Sequence, residues 1–163
     1  MMASQGKDNN ALKGLKTMVD DPLIRAEIDL PAIAHNVREL RRVTRPQARL
    51  MVAVKGNAYG HGAVKVAQAA IAHGVDALGV ARFEEGVELR QAGLEAPILI
   101  FGYTPPSLAP RLIDYVLTQT VYALDTARAL SAAAQRLGQT LKVHLKVDTG
   151  MGRLGLLPDS GRW

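Results

Sequence analysis

The residues most suggestive of chemistry lie in segment 53–62, which reads Ala-Val-Lys-Gly-Asn-Ala-Tyr-Gly-His-Gly. Lys55 follows an apolar run at 50–54 and opens a glycine-rich turn. A continuous apolar run before a turn is typical of a strand buried on both faces of a parallel sheet. Burial disfavours the charged form of a lysine, and the neutral amine attacks carbonyl carbons. The position therefore favours a Schiff-base lysine. The alternative is that Lys55 simply reaches solvent where the strand ends.

A second segment, 141–155, reads Leu-Lys-Val-His-Leu-Lys-Val-Asp-Thr-Gly-Met-Gly-Arg-Leu-Gly. Strand alternation places its polar side chains on one face: Lys142, His144 and Lys146. In a barrel this face would point inward, with Lys146 nearest the carboxyl end of the strand, where barrel active sites lie. Lys55 stands at an equivalent strand end. With Arg153 on the following loop, the pattern predicts a site for an anionic ligand. The alternative is an edge strand with three solvated polar residues.

Two glycine patterns imitate nucleotide-binding motifs without their context. Residues 150–155 match G-x-G-x-x-G, but Pro158 follows at once, where the motif needs a helix and then an acidic residue. Residues 56–62 lack the G-K-[ST] of a phosphate-binding loop. The four histidines show no metal-ligand spacing. We therefore predict neither a nucleotide site nor a metal site.

Strand and helix patterns alternate along the rest of the chain. A short strand-like piece is predicted at 26–30, and strands are predicted at 50–54, 77–80, 97–102, within 115–122, and at 141–147. Helices are predicted with Pro31 in the first turn of the first one, at 63–73, at 84–91, near 108–113, and from an N-cap at Asp125 to 137–138. The first helix should have Asp29 or Leu30 near its N-cap and Ile33, Val37 and Leu40 on one face. Gly74 should stop the second helix.

Repeated strand–helix units with apolar strands predict a parallel sheet covered by helices. Such a sheet is either doubly wound or part of a (β/α)8 barrel. A complete barrel takes about 250 residues, whereas this chain has 163 and shows roughly five strands. The predicted fold class is therefore α/β, a partial (β/α)8 barrel with parallel strands, incomplete at the C-terminus. Residues 1–22 are predicted to be a flexible polar tail, and residues 23–163 the partial barrel domain.

Composition narrows the functional classes. The chain has no cysteine, which excludes disulfides and thiolate chemistry and fits a cytoplasmic location. No apolar stretch approaches the roughly 20 residues that span a bilayer, so no membrane association is predicted. The net charge is +5, and five arginines are concentrated between residues 38 and 49. Because aromatic residues for base stacking are scarce, we interpret these arginines as a solvated helix face rather than a nucleic-acid site.

Three segments together resemble the N-terminal half of the alanine racemase family. They are Ala-Glu-Ile-Asp-Leu at 26–30 with Ala-His-Asn-Val-Arg at 34–38, the motif at 53–62, and Lys-Val-Asp-Thr-Gly-Met-Gly-Arg-Leu-Gly at 146–155. The resemblance covers residues 23–158 in the right order, and the two longer motifs are specific. One departure is Gly56, where alanine is more usual in the family.

The resemblance implies a role for each motif residue. Lys55 would hold pyridoxal 5′-phosphate (PLP) as an internal aldimine and act as one of two bases that exchange the Cα proton. Tyr59 would hydrogen-bond the cofactor phosphate. Lys146 would be carbamylated and orient Arg153, which would face the substrate carboxylate. The implied activity is a PLP-dependent isomerase that interconverts L- and D-alanine for peptidoglycan synthesis.

The family also implies parts that no residue here matches. Members are roughly twice this length and homodimeric. They carry the remaining barrel strands, an arginine at the pyridine nitrogen, and a C-terminal β-domain with the second catalytic base, a tyrosine. The first hypothesis is therefore an N-terminal racemase fragment that is inactive alone. The alternatives are a non-catalytic PLP-binding barrel protein and an inert truncated product.

Overall fold

The structure, a computed structural model, describes residues 24–158. Its strands are β1 (Met51–Ala53), β2 (Ala77–Val80), β3 (Ile98–Ile100), β4 (Leu117–Val121) and β5 (Val143–Leu145). Its α-helices are α1 (Leu30–Val43), α3 (Ala63–Ala72), α4 (Phe83–Gln91), α5 (Ala109–Asp114) and α6 (Leu124–Arg136), with a short left-handed turn, α2 (Lys55–Tyr59), and a 3-10 turn at Pro106–Leu108. The tail predicted at 1–22 lies outside the described residues.

The five strands form one parallel sheet in the order β1-β2-β3-β4-β5. Each strand therefore pairs with the next one along the chain. A doubly wound sheet reverses its strand order at a switch point, whereas a barrel adds each strand on the same side as the last. The order decides between the two predicted architectures in favour of a partial (β/α)8 barrel.

The helices cover one face of this sheet. Parallel register places residues of that face in rows across neighbouring strands, such as Leu78, Ile98 and Leu117. These three side chains are buried, and they belong to one apolar cluster with residues of α3, α4, α5 and α6. The opposite face carries Ala53, Gly79, Leu99 and Thr118 in register. In a barrel this second face is the interior.

Most predicted elements are found close to their expected bounds. Asp29 is the N-cap of α1, and its carboxylate accepts a hydrogen bond from the Ala32 N–H at 2.9 Å. Ile33 and Val37 pack toward the core as expected, but Leu40 is exposed. Gly74 follows α3 with φ +108°, the left-handed conformation expected of a helix stop.

Two local predictions are wrong. Residues 26–30 form no strand, because no neighbouring strand of the described chain pairs with them, and α1 already begins at Leu30. Asp125 does not cap α6, because that helix begins one residue earlier and its N-cap is Ala123. Asp125 instead lies in the first turn, where a negative charge still favours the helix dipole.

The predicted burial of β1 is also wrong, and β5 takes the edge position that the sequence left open as an alternative. They are the edge strands of the described sheet. Met51 of β1 is exposed, and Val143 and Leu145 of β5 are 48% and 58% exposed. A strand becomes buried on both faces only when neighbours cover it, and within residues 24–158 no element lies beyond either edge. The apolar runs predicted the strands correctly but not their surroundings.

One arginine of the basic stretch is structural rather than solvated. Arg41 of α1 donates to the Gly74 carbonyl at 2.8 and 3.0 Å and to the Ala48 carbonyl at 2.9 Å, and it pairs with Asp76. Asp76 also accepts from the Leu50 N–H at 2.6 Å. The Leu50 amide and the Arg41 guanidinium hold the pKa of Asp76 below its ordinary value. This network joins α1 to the entry of β1 and β2, at the end of the sheet opposite Lys55.

Candidate active site

Lys55 lies in the turn after β1 rather than in the strand. The strand ends at Ala53, and the buried Val54 follows it with ψ 19°, so the strand alternation stops there. Lys55 is half-buried, which is less than the sequence predicted, because β1 is an edge strand. Its Nζ atom is 5.9 Å from the centre of the Tyr59 ring. The amine and the phenol therefore stand together at the carboxyl end of the sheet.

The turn itself has an uncommon backbone. Gly56, Asn57, Ala58 and Tyr59 all have φ between +52° and +60°, so that they form one turn of left-handed helix. The left-handed conformation costs about 1–2 kcal/mol for each residue with a side chain. Only Gly56 avoids this cost, and the space around its missing Cβ is open. Strain of this kind persists where surrounding contacts enforce it, and it is concentrated at functional sites.

Several hydrogen bonds hold this turn in place. The Ala58 N–H donates to the Val54 carbonyl at 2.8 Å, and the Asn57 side-chain oxygen accepts from the Ala63 N–H at 2.8 Å, at the start of α3. From outside the turn, Glu85 of α4 accepts from the Gly56 N–H at 2.6 Å. Tyr59 remains 64% exposed, so its hydroxyl is open to a ligand.

The second motif forms a loop that folds back onto the end of β5. Lys146 donates its N–H to the Val121 carbonyl at 2.8 Å, and its own carbonyl accepts from the Leu156 N–H at 2.9 Å. Asp148 donates its N–H to the Leu156 carbonyl at 2.9 Å. Gly155 permits this closure, since a Cβ there would lie 2.4 Å from the Asp148 nitrogen. Arg153 thus lies on a loop whose two ends are joined beside Lys146.

Asp148 organises the interior of this loop. The residue is 9% exposed, and its carboxylate accepts hydrogen bonds from the N–H groups of Gly150 and Gly152, each at 3.0 Å. These amides, chiefly that of Gly152, hold the pKa of Asp148 below its ordinary value, with a further contribution from the Arg153 amide. The carboxylate therefore sets the backbone course that leads to Arg153. Sequence analysis missed this residue, although Asp followed two positions later by Gly is a turn pattern.

This geometry predicts a pH dependence for the loop. Because the pKa of Asp148 is lowered by folding, its stabilisation is present above the ordinary carboxyl pKa and is lost as pH falls through the lowered value. The variant Asp148→Asn should remove the acid-sensitive part of loop stability and expose residues 149–153 to proteolysis at neutral pH. Limited proteolysis across pH checks this, with Asp125→Asn as a control at an exposed carboxylate. Equal acid sensitivity of the Asp148→Asn variant and the unaltered chain would contradict the assignment.

The structure brings the two motifs to one end of one sheet but not into contact. Lys55 follows β1 and Lys146 follows β5, and three strands separate them. At about 4.8 Å per neighbouring strand, four intervals put them at most about 19 Å apart along the sheet. Among residues 24–158 no carboxylate lies within ion-pair distance of Lys146 or Arg153. Arg153 is exposed and Lys146 half-buried.

Other site types are not found in the described range. Between residues 24 and 158 no three or more acidic or histidine side chains are grouped so that they could bind a metal ion. No helix in the same range is both long and apolar enough to cross a membrane. The fold and the site together define a class of protein: a parallel barrel segment that presents a lysine amine at the carboxyl end of its strands.

Sequence comparison specifies this class. The family described as "Alanine racemase, N-terminal domain" matches residues 28–162. An alanine racemase of Desulfosudis oleivorans is 55% identical over 131 residues, which are 80% of this chain and 34% of the relative. One of Methanococcus maripaludis is 48% identical over 142 residues, 87% of this chain and 38% of the relative. The chain thus spans little more than a third of the length of these relatives.

Solved structures of alanine racemases are also similar to this chain. Alanine racemase of Clostridium difficile 630 superposes with a TM-score of 0.78 at 39% identity, covering 83% of this chain and 37% of that one. The enzyme of Streptomyces coelicolor A3(2) also gives 0.78, at 40% identity, with 83% and 36% covered. The chain belongs to the alanine racemase N-terminal domain family.

Proposed function

We propose that this chain provides the PLP-binding lysine portion of an alanine racemase, an isomerase that interconverts L- and D-alanine, and that residues 23–163 form one partial barrel domain. The main support is the placement of Lys55 and Tyr59 side by side, in a strained turn at the carboxyl end of a barrel strand. Family membership supports the reaction type. We place the reaction in the cytoplasm, and the active form in a homodimer.

The side chains around Lys55 fit PLP. The cofactor carries an aldehyde and a phosphate, and the turn offers a half-buried primary amine beside an exposed phenol. Lys55 would hold the cofactor through Nζ and, once displaced by substrate, give or take the Cα proton at Nζ on one side. Tyr59 would donate its hydroxyl proton to a phosphate oxygen. PLP, when bound, supplies an electron sink for negative charge at the substrate Cα.

Arg153 would bind the substrate carboxylate, with Lys146 orienting it. Two bare cations 4 Å apart repel each other by about 4 kcal/mol at an effective dielectric constant of 20. The repulsion is relieved if Lys146 pairs with an acid or becomes an anion itself. Since no acid of the described residues pairs with Lys146, a carbamate is favoured. It forms when the neutral Nζ attacks the carbon of CO2 and releases one proton, and it can accept a charge-assisted hydrogen bond from Arg153.

We therefore expect Lys146 to take up CO2. Carbon-13-labelled bicarbonate should give one carbamate resonance in the chain, and the resonance should disappear in Lys146→Arg. The matched control is Lys142→Arg, a change at an exposed lysine four residues earlier on the same strand segment. A carbamate resonance that survives Lys146→Arg would contradict the assignment.

The substrate proposal is a small amino acid. Among the similar structures, an alanine racemase of Bacillus anthracis has bound L-Ala-P, and that of C. difficile 630 is in a complex with cycloserine. A non-catalytic PLP carrier would have no use for a substrate-binding arginine at the same end of the sheet as Lys55. The closed loop that bears Arg153 thus supports an enzyme over a carrier.

A chimera tests the proposal directly. Residues 24–158 would replace the matching N-terminal segment of the C. difficile 630 racemase, which covers 37% of that chain. We expect the chimera to convert L-alanine to D-alanine, and Lys55→Ala to reduce turnover by at least 10²-fold, the lower end for a general acid–base group. Lys65→Ala, at an exposed lysine of α3, should leave turnover unchanged. A folded, PLP-loaded chimera without turnover would overturn the proposal.

A further inference from the structure

We propose that Glu85 is a positioning residue for Lys55. Lys55 is the first residue of the left-handed turn, and the Glu85 carboxylate holds this turn to the junction of β2 and α4. This inference rests on the proposed function, because it concerns the lysine that would carry PLP. Glu84 and Glu85 are adjacent on α4 and so face different directions, which argues against a catalytic pair of carboxylates. In the structure Glu85 instead accepts hydrogen bonds from backbone amides.

Both carboxylate oxygens of Glu85 are engaged by backbone amides. Oε1 accepts from the Gly56 N–H at 2.6 Å. Oε2 accepts from the Ala81 N–H at 2.7 Å and from the Arg82 N–H at 3.0 Å. Hydrogen bonds to an ionised acceptor are shorter and stronger than neutral ones. The side chain therefore bridges two loops that are 25 or more residues apart in sequence.

The bond to Gly56 exceeds what a helix cap requires. Glu85 lies in the first turn of α4, where accepting the Arg82 N–H completes a capping arrangement and a negative charge favours the helix dipole. A cap of this kind uses amides of its own helix start. Oε1 instead reaches Gly56, 29 residues away, which directly follows Lys55. The arrangement thus couples the start of α4 to the lysine.

The bonded amide is the first of the strained turn. Gly56 begins the run of five residues with positive φ, which ends at Gly60, and nothing lies within 4 Å of where the Gly56 Cβ would be. Side-chain packing therefore does not hold the backbone at this point. The Asn57 and Ala58 bonds hold the later part of the turn to α3 and to Val54. Glu85 holds the part next to Lys55, and a displacement of about 1 Å at a reacting group can cost 10²-fold in rate.

Glu84 provides a matched control within the same helical turn. It carries the same carboxylate and is exposed, and its side chain makes no hydrogen bond or ion pair with any residue from 24 to 158. Any effect of net charge or of helix-dipole interaction should be shared by Glu84→Gln and Glu85→Gln. Only the second change should alter the turn.

The first measurement is independent of PLP. In the 163-residue chain labelled with 15N-glycine, the Gly56 amide should exchange slowly with solvent. In Glu85→Gln the single side-chain oxygen should stay with the two amides Ala81 and Arg82, so that the side-chain NH2 faces Gly56. A hydrogen bond to a charged group contributes about 1.5–3 kcal/mol, so Gly56 exchange should accelerate about tenfold or more. Glu84→Gln should leave it unchanged, and the Gly138 amide and the circular dichroism spectrum should be unaltered in both.

The second measurement tests positioning. The chains are incubated with PLP and reduced with borohydride, and the pyridoxyl label at Lys55 is compared with that at the exposed Lys65. Glu85→Gln should lower the Lys55 share several-fold, and Glu84→Gln should not. An unprotected Gly56 amide in the unaltered chain overturns the proposal without any variant. So does an unchanged Lys55 share in Glu85→Gln. Absence of label at Lys55 in the unaltered chain would instead overturn the proposed function, while Gly56 exchange still decides whether Glu85 holds the turn.

Discussion

Replacing Lys55 by alanine is expected to abolish site-specific attachment of PLP to this chain. The turn after β1 offers an amine that is half-buried beside an exposed phenol at the carboxyl end of the sheet. An aldehyde reacts with the neutral amine, and the neighbouring Tyr59 hydroxyl would retain the phosphate. After PLP incubation and borohydride reduction, peptide mapping should place the pyridoxyl group at Lys55 in the unaltered chain and nowhere specific in Lys55→Ala.

The control for this labelling is Lys65→Ala, a change at a solvent-exposed lysine on α3. It should leave the modified peptide unchanged, because Lys65 is exposed and lies on α3 rather than in the turn. Tyr59→Phe should keep the label at Lys55 but weaken PLP retention before reduction, since it removes only the hydroxyl. Label spread evenly over the surface lysines of the unaltered chain would contradict the assignment of Lys55.

A polypeptide of these 163 residues, supplied with PLP, is expected to show no significant racemase activity. Exchanging the Cα proton with inversion needs an acid and a base on opposite faces of Cα, and the proposed roles place only Lys55 at that atom. One absent acid–base group costs typically 10²–10⁴-fold, and a loosely held cofactor costs more. The assay is conversion of L-alanine to D-alanine by the purified chain.

The edges of the sheet add a second reason for low activity. Within residues 24–158, β1 and β5 have unpaired edges, and β5 and its continuation expose Val143, Leu145 and Val147. Such edges favour association between chains rather than a closed site. Supplying the remaining portion of a homologous racemase as a separate chain should restore turnover if the strands close one barrel. Turnover by the isolated chain close to that of a complete racemase would contradict the proposed division of roles.

Much of the secondary structure and the positions of the two site loops could be predicted from local sequence. Apolar runs located the five strands, and the Asp29 cap and Gly74 located helix ends. The glycine-rich and Asp-Thr-Gly segments marked the two site loops, because each demands backbone conformations that few residues adopt. These features depend on neighbours in the chain, so a single sequence is enough to predict them.

Other features depended on contacts distant in sequence. Strand order, which separates a barrel from a doubly wound sheet, is a property of pairing between segments some 20 residues apart. Arg41 was predicted to be solvated, but its side chain joins α1 to Gly74 and Asp76. These partners are distant in sequence and come close only in the folded chain. Burial of β1 was mispredicted, because an apolar run indicates that a strand favours burial but not whether neighbouring elements cover it.

The candidate site, too, was predictable from the sequence only in part. Lys55, Tyr59, Lys146 and Arg153 were identifiable from motifs that resemble one family, and the structure places both motifs at the carboxyl end of one sheet. Glu85 was not identifiable, because its partner is the backbone amide of Gly56, 29 residues away. A backbone amide is common to nearly all residue types, so the sequence does not show which one a side chain will contact. The sequence identified the side chains that could react. Only the tertiary structure showed which carboxylate holds the turn next to Lys55, because that contact exists only after α4 has packed against β2 and β3 and next to the turn.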